Sequence, residues 1–171
     1  MTKSTDRIRI NGGGDIQMKL PSGSWVNMGK IVKGYEFQDD TESVSIDLAG
    51  GEEHSEAGKR PVKLVFECAQ SDKEALDNKD SYDGKVCEVW FDDGIVNSKH
   101  LEFYGKAGKV QVPIMKKDGD TPQKIKYTIT FAKQSAAVEV ADTALPTASY
   151  AATGTYTGVN NYYVWIETAV A

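Results

Sequence analysis

Histidine occurs only at His54 and His100 in a chain of 171 residues, so imidazole chemistry would have to be built almost without imidazole. His54 stands among Glu52, Glu53 and Glu56, an oxygen-rich set that could hold a hard cation weakly. The same composition describes a solvated acidic loop, and that is the reading preferred here. His100, between Lys99 and Leu101, reads as an exposed residue at a strand start. Cys68 and Cys87 form neither a CxxC pair nor a Cys/His spacing, which points to buried thiols rather than a disulfide framework or a nucleophile. Ser22-Gly23-Ser24 lacks the nucleophile-elbow pattern. Asn11-Gly12-Gly13-Gly14-Asp15 has no following Lys-Ser/Thr and no helix to cradle a phosphate, so a hairpin turn is favoured. The paired acids Asp39-Asp40 and Asp92-Asp93, and Asp118-Gly119-Asp120, sit in turn sequences and lack the spacing of a glycosidase pair or an EF-hand loop. No catalytic set, cofactor or metal is expected, and the chain reads as a non-enzyme.

Charge excludes one further class. Twenty Lys and Arg against 25 Asp and Glu give a formal net charge of −5, the opposite of what a protein coating nucleic acid needs. The sequence has no apolar run of the roughly 18 residues a spanning helix requires. Its start, Met-Thr-Lys-Ser-Thr-Asp-Arg, carries no secretory h-region, so the expectation is a soluble chain made in the cytosol with no direct membrane insertion.

The elements that would position any site are strands. Apolar residues alternate with period two at Ile8 and Ile10, at Ile16, Met18 and Leu20, and at Val44, Ile46 and Leu48, the pattern of half-buried strands. Trp25, Val26 and Met28, then Tyr35 and Phe37, extend it. Residues 50–60 carry no large apolar side chain and are expected to form a long, mobile, exposed loop. Val62, Leu64, Phe66 and Cys68 share the face of the next strand. Ser71-Asp72-Lys73-Glu74 is a capping box, predicting one short helix ending near Tyr82. Its thin apolar stripe places it across an edge or face of the sheet. In Lys85–Asp92, Cys87, Val89 and Phe91 face one way and Val86, Glu88 and Trp90 the other. Separate strands are expected around Leu101–Tyr104 and around Val110–Ile114. The clearest strand is Lys124–Phe131, with Ile125, Tyr127, Ile129 and Phe131 on one face.

After Lys133 the composition changes. The last 38 residues contain no Lys or Arg, and only Glu139, Asp142 and Glu167 as acids. Residues 141–152 read as a linker, and 153–166 as a terminal hairpin. The division expected is therefore a β domain over 1–135 and a C-terminal arm or hairpin over 136–171. Trp25, Trp90, Trp165 and eight tyrosines fill a core, make subunit contacts or form a stacking platform for sugar rings. Trp90, opposite Cys87, is expected to point outward, toward a glycan or another subunit.

The order of strands, charged loop, strand, capped helix and strand series, with Leu101-Glu-Phe-Tyr-Gly105, Val110-Gln-Val-Pro-Ile114 and Tyr127-Thr-Ile-Thr-Phe131, resembles the tail tube proteins of bacteriophages and related contractile injection machines over roughly residues 7–135. The resemblance implies a mainly β, two-sheet sandwich or barrel-like fold with one flanking helix, and homo-hexameric rings stacked into a tube that conducts DNA. It implies tape-measure, tail-terminator and baseplate or tip proteins as partners, DNA as transient lumen cargo, and residence in the virion tail after assembly in the host cytoplasm. On that reading Glu52, Glu53, His54, Glu56, Lys59 and Arg60 are inter-ring loop candidates, and Trp90, Tyr163 and Trp165 subunit-contact aromatics. An acidic inner wall would repel DNA and let it slide. The alternatives are a capsid decoration or tail-terminator protein, a non-catalytic carbohydrate-binding β-sandwich and, least supported, a small enzyme.

Overall fold

The computed structural model describes residues 16–28, 31–39, 43–47, 53–57, 60–69, 73–92, 100–116, 124–146 and 154–168. The expected strand at Ile8 and Ile10, the capping residues Ser71 and Asp72, and Glu52 and Lys59 lie outside them. The fold is mainly β with one short helix, as the alternating pattern requires. In chain order the strands are β1 (Ile16–Lys19), β2 (Val26–Asn27), β3 (Ile31–Asp39), β4 (Ser43–Asp47), β5 (Glu53–Ala57) and β6 (Val62–Ala69). After helix α1 (Lys73–Tyr82) come β7 (Val86–Asp92), β8 (His100–Lys116), β9 (Lys124–Phe131), β10 (Glu139–Ala141), β11 (Thr155–Thr157) and β12 (Tyr163–Thr168).

Eight strands form one antiparallel sheet in the order β2-β1-β7-β8-β9-β6-β3, with β12 joined to β8 off that path. The pivot is β8, where the sequence suggests two strands and the structure has one of 17 residues. One edge of β8 pairs with β7, from Glu102 opposite Asp92 to Lys109 opposite Val86. The other edge is shared. Residues 100–105 pair with β12 and residues 108–116 with β9. The sheet forks between them, and glycines fill the fork because a side chain has no room there. A Cβ on Gly105 would lie 2.2 Å from the Phe131 ring, and one on Gly108 2.5 Å from Ile129.

Beyond the fork the two halves of the sheet face each other. Tyr35 and Phe37 of β3 meet Phe91 of β7 and Phe103 of β8 at ring-centroid distances of 4.5 and 5.0 Å. Between them lies the main core, drawn from the predicted inward faces: Ile16 and Met18, Leu64 and Phe66, Val89 and Phe91, and Ile125, Tyr127, Ile129 and Phe131. Both cysteines are free and buried in it. Helix α1 ends where predicted. It closes one side of the core, with Tyr82 buried and the Asn78 side-chain amide donating to the Asn27 carbonyl at 2.9 Å.

Two expectations are corrected. Residues 53–57, expected in a loop, are strand β5, paired with β4 from Ser43 opposite Ala57 to Asp47 opposite Glu53. Backbone pairing with β4 defines this strand. Residues 153–166 are not a self-contained hairpin, and most of the expected linker, 147–152, lies outside the described residues. β11 returns to pair with β10, β12 joins the main sheet, and between β10 and β11 the chain makes one turn of 3-10 helix at Asp142–Ala144.

Candidate assembly surface

Side-chain chemistry first narrows what the molecule offers. Among the described residues no group of three or more His, Cys, Asp or Glu could hold a metal ion, and no helix is long and apolar enough to cross a membrane. Burial, reinforced by the neighbouring Glu88 charge, pushes the Cys87 thiol up to about 12, so at neutral pH it carries almost no thiolate and is a poor nucleophile. Burial likewise raises Tyr104, whose hydroxyl donates to the Glu88 carboxylate. That phenol stays protonated as a structural donor.

The outer faces of the two half-sheets differ. Over β7, β8 and β12 the chain's own C-terminal segment packs down, and Trp90, Tyr104, Val138, Val140, Leu145, Val164 and Ile166 make a second apolar cluster flanked by Trp25 and Tyr156. Hydrogen bonds fasten the cover: the Trp25 indole N–H donates to the Ala144 carbonyl at 2.8 Å, and the Gln134 and Val138 amides to the Asn161 and Asn160 carbonyls at 2.8 and 3.1 Å. Trp90 does lie on the face opposite Cys87, but it is 1% exposed. The expectation that it points outward is therefore corrected: the apolar patch is covered from within the same chain. Sequence reading missed this because Val138, Val140 and Leu145 carry no local pattern linking them to a tryptophan some 50 positions earlier.

Over β3, β6, β9 and the second half of β8 the outer face is polar. Glu36 and Gln38, Lys63 and Glu67, Lys126 and Thr130, and Lys109 and Gln111 stand across adjacent strands in register. Lys124 pairs with Glu67 at 3.6 Å. Among the described residues Lys63, Lys109, Lys124 and Lys126 outnumber Glu36 and Glu67 here, so this polar face is not acidic, as Lys124 and Lys126 on the clearest strand already suggest.

Edges complete the surface. Among the described residues β3 is paired only with β6, and β12 only with β8, which leaves one row of backbone donors and acceptors on each as a template for another strand. Between β3 and β6 in the chain lies the separate β4–β5 ribbon, bearing Glu53, His54 and Glu56 at its register positions opposite Asp47, Ile46 and Val44. At its root Arg60 is not a free loop cation. Its Nε and Nη2 donate to the two carboxylate oxygens of Asp39 at 2.8 Å each, and its guanidinium lies 5.0 Å from the centre of the Tyr162 ring. The Tyr163 hydroxyl donates to the same carboxylate. Hydrogen bonding by Arg60 holds Asp39 below its ordinary value of 3.8. Tyr163 is nearly buried, whereas Trp165 is 41% exposed at the mouth of the sandwich, in ring contact with Phe37, Phe91 and Phe103. Of the sequence candidates, the structure thus brings Arg60 and Tyr163 together, sets Trp165 nearby and buries Trp90 elsewhere.

No protein-family model matches the chain, and no curated protein does. Among solved structures it is similar to a chain of the sheath–tube complex of a PVC extracellular contractile injection system in its extended state, with 8% identity, 67% of this chain and 82% of that chain covered, and a TM-score of 0.41. It is similar to the tube-terminating cap of the anti-feeding prophage with the same identity, coverage and TM-score.

Proposed function

We propose that this protein is a structural subunit that assembles with copies of itself into hexameric rings stacked as the tube of a phage tail or a related injection machine, with no catalytic role. The observation that carries this reading is the open sheet. Among the described residues β3, nine residues long, is paired on one side only, with β6, and a long uncovered edge is a liability that a partner strand removes. The sequence resemblance over residues 7–135 supplies the architecture in which copies join edge to edge around a ring. The β4–β5 ribbon then reaches beyond the sheet to the next ring, and tape-measure, terminator and baseplate proteins bound the tube.

A carbohydrate platform finds less support. A flat stacking row needs several exposed rings, and of the three tryptophans Trp90 is buried, Trp25 is half-covered by the C-terminal segment and only Trp165 is exposed.

Deleting residues 50–59 tests the ribbon's part. The expected product is a monomer with intact β circular dichroism and cooperative unfolding that forms no long tubes. Long tubes from the deletion variant would overturn the assignment of stacking to the ribbon.

A further inference from the structure

The side chains at the root of the ribbon join three parts of the chain that are far apart in sequence. Asp39 is the last residue of β3 and Arg60 stands two residues before β6, so their two-pronged ion pair clamps the two strands as they leave the sheet. Tyr163 is the first residue of β12, and its hydroxyl donates to the carboxylate from the other side of the sandwich. The start of β12 is itself held. The Asn160 side-chain oxygen accepts from the Tyr162 and Tyr163 amides at 2.8 and 3.0 Å, and the Asn161 side-chain amide donates to the Gln134 carbonyl at 3.0 Å. A continuous path of hydrogen bonds therefore runs from the C-terminal cover, through β12, to the base of the ribbon.

We infer that Asp39, Arg60 and Tyr163 form a latch through which the docked C-terminal segment sets the direction in which the β4–β5 ribbon leaves the body. A bidentate guanidinium–carboxylate pair fixes orientation as well as distance. A pair made only between β3 and β6 would travel with the ribbon's own base. The Tyr163 hydroxyl is what refers that base to a different strand, and the Tyr162 ring under the guanidinium holds Arg60 in the plane the pair needs. The three are positioning residues. Their effect on assembly rests on the tube reading, whereas their effect on ribbon direction does not.

The test places spin labels at Ser55→Cys in β5 and Val159→Cys, which is fully exposed, leaving Cys68 and Cys87 buried and unlabelled. Label-to-label distances are measured by double electron–electron resonance. The native chain is expected to give one narrow distribution, and Tyr163→Phe, which removes only the hydroxyl, a broadened or displaced one. Tyr104→Phe removes a comparable hydroxyl–carboxylate hydrogen bond on the opposite face of the sheet and controls for general loosening, so it should leave the distribution narrow. An unchanged distribution in Tyr163→Phe, or equal broadening in both variants, overturns the latch. In the same samples the concentration at which tubes appear should rise about fivefold for Tyr163→Phe, as expected for one lost hydrogen bond. A native chain that never assembles while Tyr163→Phe still frees the ribbon would remove the tube reading and leave the latch standing.

Discussion

Replacing Gly105 by alanine strikes the point where the sheet forks. The new Cβ would lie 2.2, 2.7 and 3.0 Å from three atoms of the Phe131 ring, and ordinary contact begins at 3.4 Å, so the ring must retreat by 3.4 − 2.2 = 1.2 Å. It has nowhere easy to go. Phe131 is 3% exposed and packs edge-on against Phe103 at 5.4 Å. The backbone at Gly105 is pinned on both sides, opposite Val89 and Tyr163. Overpacking of this kind costs about 3 kcal/mol, the upper part of its usual range. With a urea dependence of about 2 kcal/mol per molar, the midpoint should fall by about 1.5 M. Phe131→Leu vacates the ring position, so in the Gly105→Ala background its cost should shrink, with a coupling of about 1 kcal/mol or more in a double-mutant cycle. A Gly105→Ala midpoint indistinguishable from the native one, or costs that simply add, would refute this account of the fork.

Two further outcomes follow from the second cluster and the latch. Among the described residues the buried Trp90 indole N–H has no hydrogen-bond partner, so Trp90→Phe should cost about 1 kcal/mol or less, because the lost area is offset by removing an unsatisfied donor. Trp90→Ala should cost about 3–5 kcal/mol. Urea unfolding distinguishes them, and equal costs would contradict the reading. Asp39 titrates below 3.8 in the folded chain because of Arg60, so its stabilisation is complete above that value and fades as pH falls through the lower folded value. The melting temperature of Asp39→Asn should therefore lie below the native one at pH 7, and the gap should close toward pH 2. A gap independent of pH would show that the carboxylate charge contributes nothing.

Much of the fold was legible where one face of a strand is buried and the other is not, as in β1 and β9. β9 has the bounds and inward set that Ile125, Tyr127, Ile129 and Phe131 announce, and α1 ends at Tyr82 as the capping box and thin stripe suggest. The misses share a physical cause: they depend on what a residue meets, not on its neighbours in sequence. Gly105 and Gly108 look like strand breakers, yet they are the residues that let β8 run unbroken past Phe131 and Ile129. β5 has no apolar face of its own and is a strand only because β4 is beside it. Trp90 was readable as off the main core, but its cover was not. The latch joins positions 21 and 124 apart along the chain. Its one local trace is that Asp39 and Arg60 flank the charged insertion at nearly matching places on either side.

Whether copies of this chain complete one another's sheets is read by negative-stain electron microscopy of the purified protein at rising concentration, with light scattering for mass. Rings or hollow tubes with a sixfold end view are expected, with a scattering mass well above the 18.7 kDa of one chain. A strict monomer at every concentration, with the β3 edge remaining open to amide exchange, would contradict it.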